Sequence, residues 1–440
     1  MRRTLTRDAA TRDVRSLVEL RLGRLERFLA YGALLFTALI PSFSKAYSQG
    51  DAPPDSALNQ VVWGSMYLFT AIRVYTLLPS MRFALNKSTS LLLFGFFMLS
   101  STLWSVDQAS TLKQSVEMIG TMIVGLYLVL RFEVSQLLNM LAVVFAVIAT
   151  ASLGLVIIAP ARGRMFYGGG PWSGIYQEKN LLGAAMALGI FSLFILLLSK
   201  SKWEKIPVLG VLTLCAILLI GSNSITSSLD CIVVIFISSG LLIIRSPKYG
   251  LVARIIFAFL VLLCALLLAT GGINSSTFFG TVGRSEDLTG RTDFWPALSL
   301  AIGDRPILGY GYDAFFTSPI AKEYLADFLA GSGGWTPYHA HDSALQLLLN
   351  GGVVGLVLCI VILSIGIKRA ILFFKVEKSP IAIWPLSIFV YLLVGSYSES
   401  YLVGYNSFES VLMIVAFFYP IRKQLLLGSV LQLESEITSD

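Results

Sequence analysis

Long apolar runs recur along the chain and predict membrane-spanning helices. A helix needs about 20 apolar residues to cross the hydrocarbon core of a bilayer, and runs near that length alternate here with short polar connections. The pattern predicts about twelve spans, near residues 26–44, 60–78, 89–104, 112–130, 136–159, 181–199, 206–222, 225–244, 252–270, 345–367, 381–397 and 405–420. The fold class expected from this pattern is an all-α polytopic membrane protein.

Composition agrees with this expectation. Of the 440 residues, 55% are hydrophobic and 13% are charged, and the mean hydropathy is +0.76, whereas a soluble protein carries about 25% charged residues. The N-terminal stretch is too charged for a signal peptide, and no small-residue cleavage site follows the first apolar run. The four cysteines lie in apolar runs, at spacings that fit neither a disulfide framework nor a zinc site, so we interpret them as packing residues.

The distribution of lysine and arginine predicts the orientation of the chain. The N-terminal tail is basic, and basic loops then recur at alternate connections, around Arg131, Lys200, Arg245 and Lys375. The positive-inside rule assigns these loops and both termini to the cytoplasm. The net charge of +7 comes from residues scattered over these loops, so it gives no signal for nucleic-acid binding.

This orientation divides the chain into tails, helices and outer loops. The expected parts are a cytoplasmic basic tail (1–25), helices 1–9 (26–270) with a basic periplasmic loop at 160–180, a large periplasmic loop containing short helices (271–344), helices 10–12 (345–420) and a cytoplasmic tail (421–440). The expected location is the bacterial inner (plasma) membrane, with the functional side facing the periplasm.

Nearly all cations on the outer side lie in the two segments 160–180 and 271–344, where the charge rule disfavours them. An anionic ligand would stabilise them, because arginine binds phosphate oxygens through a planar fork. At the outer face of a bacterial membrane, an anion with a large lipid part is a polyprenyl diphosphate. The alternative is that these cations pair with local acids or lipid headgroups, as Arg284 would beside Glu286.

The only two histidines of the chain, His339 and His341, precede an apolar helix predicted to start near Asp342. Asp342 fits an N-cap, and His341 would lie at the outer mouth of the helix, where imidazole can accept a hydroxyl proton at neutral pH. The alternative is a structural role. Beyond His339, His341 and Asp342 there is no second ligand cluster, and the HExxH pattern is absent, so no metal is expected.

A further helix is predicted within 288–316, capped by Thr289 and with Arg291 in its first turn, where backbone N–H groups favour an anion. Aromatic residues of the outer segments, among them Tyr310 and Tyr338, suit either sugar rings or the interfacial belt. Glu399 lies near the outer ends of the last two runs. Its carboxylate either orients an arginine or a histidine, or lies among lipid headgroups.

Four segments, in this order, resemble the O-antigen ligase and polymerase superfamily: GIYQEKNLLG (174–183), LTGRTDFW (288–295), PILGYGYDAFF (306–316) and HAHDSALQLLLNGGVVGL (339–356). The Lys-Asn pair at 179–180 looks more like the exopolysaccharide-polymerase branch than the ligase branch. The resemblance implies an inverting, metal-independent glycosyltransferase embedded in the membrane. It also implies a glycan donor on undecaprenyl diphosphate and no cofactor.

The resemblance further implies roles for individual residues. The basic residues bind the diphosphate, and the candidates by position are Arg164, Arg291, Arg162, Lys179 and Arg284. His341, the second histidine of the H-x-H motif, acts on the acceptor hydroxyl, with His339 and Asp342 beside it. The family often has asparagine where this chain has Asp342, and the carboxylate either orients the imidazole or caps the helix.

These expectations favour a polymerase that joins undecaprenyl-diphosphate-linked repeat units into exopolysaccharide or O-antigen. Two alternatives stay open: a ligase that transfers the glycan to lipid A core, and a transporter of lipid-linked glycan. Transporters usually show inverted repeats and midplane charges, whereas the polar residues here concentrate on one face. The expected partners are the lipid-linked donor, a glycan acceptor and the bilayer, with a chain-length regulator left open and nucleic acid excluded.

Overall fold

The computed structural model describes residues 24–43, 57–75, 87–165, 170–245, 251, 255, 257, 293–331, 337–402 and 404–422. Within these residues the regular elements are helical, and the extended backbone pairing is limited to one isolated bridge. The helices are α1 (Arg24–Phe43), α2 (Ala57–Tyr75), α3 (Thr89–Ser100), α4 (Gln108–Arg131), α5 (Val134–Ile158), α6 (Pro160–Gly163), α7 (Lys179–Leu197), α8 (Lys205–Ser222), α9 (Ile225–Arg245), α10 (Trp295–Asp304), α11 (Pro319–Tyr324), α12 (Ala326–Gly331), α13 (Ser343–Val376), α14 (Trp384–Gly395) and α15 (Phe408–Phe418). Short 3₁₀ turns cover Ser101–Leu103, Pro380–Ile383 and Tyr419–Ile421.

Helices occupy eleven of the twelve predicted apolar runs, and nearly all of the remaining run, 252–270, lies outside the described residues. Within the described residues, six helices are long and apolar enough to cross a membrane, namely α4, α5, α7, α8, α9 and α13. Shorter apolar helical segments cover Thr89–Leu103, Pro380–Gly395 and Phe408–Ile421. A helix pairs its backbone groups internally and can therefore enter hydrocarbon, which agrees with an all-α membrane protein; the total of twelve spans stays a prediction.

Close packing inside the bundle depends on small residues. Gly125 of α4 faces α15, and a Cβ added to it would lie 2.6 Å from Cβ of Ile414. Gly183 of α7 faces the start of α9, where an added Cβ would lie 2.8 Å from Cβ of Ser224. Helices in lipid associate through van der Waals contact and interhelical hydrogen bonds, with small residues at the contact. The two glycines therefore allow α4 to approach α15 and α7 to approach α9.

The predicted outer segment 271–344 contains the expected short helices, α10, α11 and α12. The first of them begins at Trp295, with Pro296 in its first turn, since proline is favoured at a helix start. Arg291, predicted in the first turn of a helix here, and the predicted cap Thr289 both lie outside the described residues. A second hydrophobic core holds the segment together, formed by Phe294, Leu298, Ala301, Tyr310, Phe315, Ala321, Leu325, Ala340 and Leu349.

The longest helix, α13, contains a break at Gly352. Its φ of +60° and ψ of −158° belong to a region that is essentially restricted to glycine. A neighbouring loop pairs with the backbone groups at the break. The N–H of Tyr310 donates to the C=O of Leu349 at 2.7 Å, and the N–H of Val353 donates to the C=O of Pro306 at 2.8 Å. The break is therefore stabilised by a second piece of backbone.

Two glycines of this loop, Gly309 and Gly311, have φ angles of +65° and +101°. A Cβ at Gly309 would lie 2.5 Å from the carbonyl oxygen of Leu349, and one at Gly311 would lie 2.4 Å from Oγ of Ser105. Both positions therefore require glycine for backbone conformation and for close approach. The Gly-Tyr-Gly sequence serves the packing of the loop against α13 and the segment before α4.

The length of α13 exceeds what a bilayer requires. Its 34 residues make a helix about 51 Å long, whereas the hydrocarbon core is about 30 Å thick. The part after the break, 353–376, is already about 36 Å long and sufficient to span. The part before the break, 343–351, therefore extends the helix by about 13 Å. The two histidines, His339 and His341, lie directly before it in the chain.

Arginines at the ends of two bundle helices form hydrogen bonds with neighbouring helices. Arg131, at the end of α4, donates through Nε to Oε1 of Glu26 in α1 at 2.7 Å. Arg245, at the end of α9, donates through Nη1 to the C=O of Phe374 near the end of α13 at 2.8 Å. The paired groups are largely removed from water, where loss of one partner would be costly. These helix ends are the ones predicted to face the cytoplasm.

Replacing Gly352 with alanine should lower the melting temperature of the purified protein in detergent. An added Cβ would lie 2.2 Å from the carbonyl carbon of Ile307, and the backbone conformation alone would cost about 1–3 kcal/mol. Gly210→Ala in α8 is the matched control, because nothing lies within 4 Å of its added Cβ and alanine favours a helix. Equal melting temperatures for the two variants would contradict the role of the break.

Candidate active site

His339, Ala340 and His341 form a tight turn directly before α13. The backbone N–H of His341 donates to Nδ1 of His339 at 3.0 Å, and the two ring centroids lie 3.8 Å apart. His341 has a φ of +52°, a left-handed conformation that is uncommon outside glycine. His341 is also buried, with 3% of its surface exposed. The turn therefore brings both imidazoles of the chain together at the N-terminus of α13.

Both backbone polar groups of the buried Ala340 are bonded to neighbouring helices. Its N–H donates to Oε1 of Gln346, in the first turns of α13, at 2.8 Å. Its C=O accepts from Nε1–H of Trp295, the first residue of α10, at 3.0 Å. A buried backbone group needs such a partner in place of water. No motif in the sequence predicts a role at the histidines for either Gln346 or Trp295.

Glu399 lies against both histidines. Its Oε2 is 3.3 Å from Nδ1 of His341 and 4.0 Å from Nε2 of His339. Ser343, the first residue of α13, donates through Oγ to the carbonyl oxygen of Glu399 at 3.0 Å and so holds the backbone behind the carboxylate. A carboxylate in this position orients an imidazole through the ring nitrogen that faces it. Of the two placements considered for Glu399, the structure has the carboxylate at the histidines.

The Asp342 carboxylate caps α13. Its Oδ1 accepts from the N–H of Leu345 at 2.8 Å. This is the N-cap arrangement, in which a side-chain oxygen pairs with a backbone donor that the first turn leaves over. Capping is one of the two roles considered for Asp342, and the carboxylate within hydrogen-bond range of the His341 ring is that of Glu399.

His339, His341 and Glu399 could together hold a metal ion. Their ligand atoms lie within 4.8 Å of one another, and two imidazoles with one carboxylate form a set that zinc accepts. The sequence offers Asp342 as the further ligand, whereas the structure has Glu399 beside the two histidines. The same three groups also suit acid–base chemistry, and the expectation of no metal stays a prediction.

A polar network lies behind the turn. Gln346 donates through Nε2 to Oδ1 of Asp313 at 3.3 Å and to Oδ1 of Asn350 at 3.1 Å. Burial raises the pKa of Asp313 from 3.8 to about 6, because removal from water penalises the charged carboxylate. The native state therefore favours the protonated acid, and this contribution to stability is lost as the pH rises from the ordinary pKa of aspartate towards about 6.

Arg164 lies in a separate turn between α5 and α7. It forms an isolated bridge with Trp172, whose ring centroid is 5.6 Å from the guanidinium carbon. The N–H of Trp172 in turn donates to the C=O of Gly221, near the end of α8, at 2.9 Å. Nε of Arg164 is buried and has no hydrogen-bond partner within the described residues. A guanidinium N–H in this state can donate a hydrogen bond to an anion.

The other predicted diphosphate-binding residues differ in how much the structure shows of them. Arg162 is exposed on the short helix α6, and Lys179 is the partly buried first residue of α7. Both lie in the same connecting segment as Arg164. Arg284 and Arg291 lie outside the described residues.

The two aromatic candidates have different surroundings. Tyr338 is 42% exposed, and its ring centroid lies 4.5 Å from that of His339. Tyr310 is buried in the second hydrophobic core, and its hydroxyl donates to the C=O of Ala301 at 2.7 Å. Tyr338 is thus available to a ligand at the histidines, whereas Tyr310 stabilises the outer segment.

The start of α9 connects the turn that contains Arg164 with the turn that contains His339 and His341. Oγ of Ser224 donates to Oδ1 of Asn180, at the start of α7, at 3.0 Å. Two turns further along α9, Oδ2 of Asp230 would lie 3.1 Å from a Cβ added to Gly395. The C=O of Gly395 accepts from the N–H of Glu399 at 2.9 Å. These contacts bring both turns to the same end of the helical bundle.

Asparagine at Asp342 should preserve stability, because its side-chain oxygen can still cap α13. Alanine at this position removes the acceptor and should lower the free energy of unfolding by about 1 kcal/mol. Denaturation of both variants in detergent, followed by tryptophan fluorescence, measures the difference. If Asp342→Asn instead lost activity at unchanged stability, the carboxylate would act on the imidazole and not on the helix.

Comparison with known proteins agrees with the motifs at this site. Residues 208–360 match the family described as O-antigen ligase, a range that includes both histidines and Trp295 but neither Arg164 nor Glu399. The chain is similar to the exopolysaccharide production protein ExoQ of Rhizobium meliloti (strain 1021), with 25% identity over 63% of this chain and 64% of the relative, just under two thirds of the relative's length. It is also similar to the O-antigen ligase of Pseudomonas aeruginosa, with 24% identity over 70% of each chain. Over residues 208–360 the chain is therefore similar to the O-antigen ligase family, which its motifs also resemble.

Proposed function

We propose that the protein is an inverting membrane glycosyltransferase that joins undecaprenyl-diphosphate-linked oligosaccharide repeat units into exopolysaccharide or O-antigen. The observation that carries the proposal is the approach of His341 Nδ1 to Glu399 Oε2 at 3.3 Å, at the N-terminus of a helix long enough to cross a membrane. The relative named for exopolysaccharide production supports the choice of polymer formation.

In the proposed reaction, His341 accepts the proton of an acceptor sugar hydroxyl. The Glu399 carboxylate orients the ring and stabilises the imidazolium that forms. The hydroxyl oxygen bonds to the anomeric carbon of the donor while the bond from that carbon to the phosphate oxygen breaks, and undecaprenyl diphosphate leaves with the electron pair. Attack from the face opposite the leaving group inverts the anomeric configuration. One proton transfer and one displacement complete the reaction, so the proposal includes neither a metal nor a cofactor.

The outward cations bind the diphosphate of the donor. Arg164 offers its buried Nε, which has no hydrogen-bond partner in the described part of the chain. Helices α7 and α9 begin at the same end of the bundle, and their N-terminal N–H groups add positive potential there. The further candidates for this role are Arg162, Lys179, Arg284 and Arg291. Together these groups stabilise the negative charge that develops on the leaving diphosphate.

The proposed side of the reaction is the periplasmic face of the bacterial inner membrane. The alternation of basic loops supports this orientation, since it assigns the helix ends at Arg131 and Arg245 to the cytoplasm. The histidine turn precedes α13, whose other end contacts Arg245, and therefore lies at the far end of that helix. The bilayer, a lipid-linked donor and a glycan acceptor are the proposed partners, and a chain-length regulator would be a further one.

Alanine at His341 should nearly abolish polymer formation while the protein still reaches the membrane, since one general base contributes about 10²–10⁴-fold to a rate. Glu399→Gln keeps the side-chain shape without the charge and should lower the rate less. Arg305→Ala is a control in the outer segment, because Arg305 is exposed and stacks over Tyr310 at 5.0 Å. Polymer length is compared at equal membrane content. Normal polymer from His341→Ala would refute the assignment.

A ligase that transfers glycan to lipid A core is equally supported by the comparisons. The same donor, base and cations would serve both reactions, and only the acceptor differs. Purified protein in liposomes should lengthen the lipid-linked repeats when the donor is the only glycan supplied. Product that appears only after lipid A core is added would show a ligase instead. Neither transferase requires an ion gradient, so a strict requirement for one would favour the transporter.

A further inference from the structure

We propose that the two histidines hold opposite tautomers, and that Trp295 and Gln346 are positioning residues that keep Nε2 of His341 as the basic nitrogen. The inference rests on the proposed function in one respect, the role of His341 as the base. It adds which nitrogen takes the proton, and which side chains outside the histidine motif hold that nitrogen in place.

The tautomer of His339 follows from a backbone donor. A backbone N–H can only donate, so Nδ1 of His339, 3.0 Å from the N–H of His341, must accept. Oγ of Ser400 also lies 3.3 Å from this nitrogen and can donate to it. A neutral imidazole carries one N–H, and that of His339 is therefore on Nε2, the nitrogen that faces Glu399 at 4.0 Å.

The tautomer of His341 follows from the carboxylate. An ionised carboxylate can only accept, so Nδ1 of His341, 3.3 Å from Oε2 of Glu399, must donate. Nε2 of His341 then carries the lone pair and is the nitrogen able to take a proton from a hydroxyl. His339 supports this arrangement twice, because its Nδ1 holds the backbone of His341 and its Nε2–H faces the same carboxylate.

The direction of the His341 ring depends on the residue before it. Residues other than glycine seldom hold a positive φ unless the surroundings impose it, and the φ of His341 is +52°. Bonds to Trp295 and Gln346 fix the peptide groups on both sides of Ala340. With either bond lost, the turn can relax towards extended backbone and the ring turns away from Glu399.

The orientation of the Gln346 amide is itself determined. Its Nε2 lies within 3.3 Å of Oδ1 of Asp313 and 3.1 Å of Oδ1 of Asn350, and both oxygens accept. Its Oε1 therefore faces the N–H of Ala340 and cannot exchange places with the amide nitrogen without losing these bonds. Trp295 has a single possible polar contact, because indole only donates. Each positioning residue thus has one defined bond to the turn.

Trp295→Phe tests the proposal because it removes one N–H and keeps an aromatic ring beside Tyr397. Trp104→Phe is the matched control: its Nε1–H donates to the C=O of Leu308 at 3.0 Å, away from the histidines. The full-length chain contains two histidines, so labelling with ¹⁵N-histidine gives spectra of these rings alone. His339→Gln assigns the signals.

The wild type at neutral pH should show one ring protonated at Nε2 and the other at Nδ1. Trp295→Phe should shift or split the His341 signals and lower kcat about tenfold, the effect of one lost hydrogen bond on the transition state, with little change in KM for the donor. Gln346→Met, which removes the acceptor at similar length, should produce the same ring change. Trp104→Phe should leave spectra and kcat as in the wild type.

Three results would overturn the proposal. The first is the same tautomer for both rings, and the second is equal behaviour of Trp295→Phe and Trp104→Phe. The third is a shift of both rings on addition of micromolar Zn²⁺ with a matching gain of activity, since a metal would take Nδ1 of His341 in place of the proton. The activity of His341→Ala is a separate readout. Full polymer formation by that variant would contradict the proposed base, whatever the spectra show.

Discussion

Water is absent from the interior of a membrane bundle, so every backbone N–H and C=O there must find a partner in the protein. The break at Gly352 in α13 would violate this constraint without the loop that packs against it. The same loop follows α10 in the chain and anchors the outer segment on the spanning helix. Because α10 begins with Trp295, the histidine turn ultimately depends on this backbone pairing.

Arg131 and Arg245, at one end of the bundle, have different surroundings from Arg164 at the other end. Arg131 and Arg245 bond to a carboxylate and to helix-end carbonyls, so their charges serve the packing of helices. At the other end, Arg164 stacks on Trp172 and has a buried donor without a hydrogen-bond partner in the described residues. A donor that is hydrogen-bonded within the protein stabilises the fold, whereas a donor that stays available can bind a ligand.

Local features of this protein could be predicted from its sequence, and contacts between distant segments could not. The apolar runs predict the helices, and Asp342, directly after the two histidines, is predicted as the N-cap of the helix that follows, because capping acts over a few residues. The contact of Glu399 with His341 joins positions 58 residues apart, and no periodicity encodes it. The bond from Trp295 to Ala340 joins positions 45 residues apart and is likewise not encoded by a periodicity. Pro296 carries a local signal for the start of α10, because proline is favoured in the first turn of a helix.

The segment 343–351 is a helical spacer of fixed length between the break at Gly352 and the proposed reaction centre. A helix advances 1.5 Å and turns about 100° with each residue. One inserted residue would therefore raise the imidazoles slightly but swing them about a quarter of the way round the axis, away from Glu399. Only a change of nearly a whole turn, about three or four residues, would restore their azimuth, and it would then lift them by about 5 Å. The distance between the lipid surface and the proposed chemistry can accordingly vary only in coarse steps.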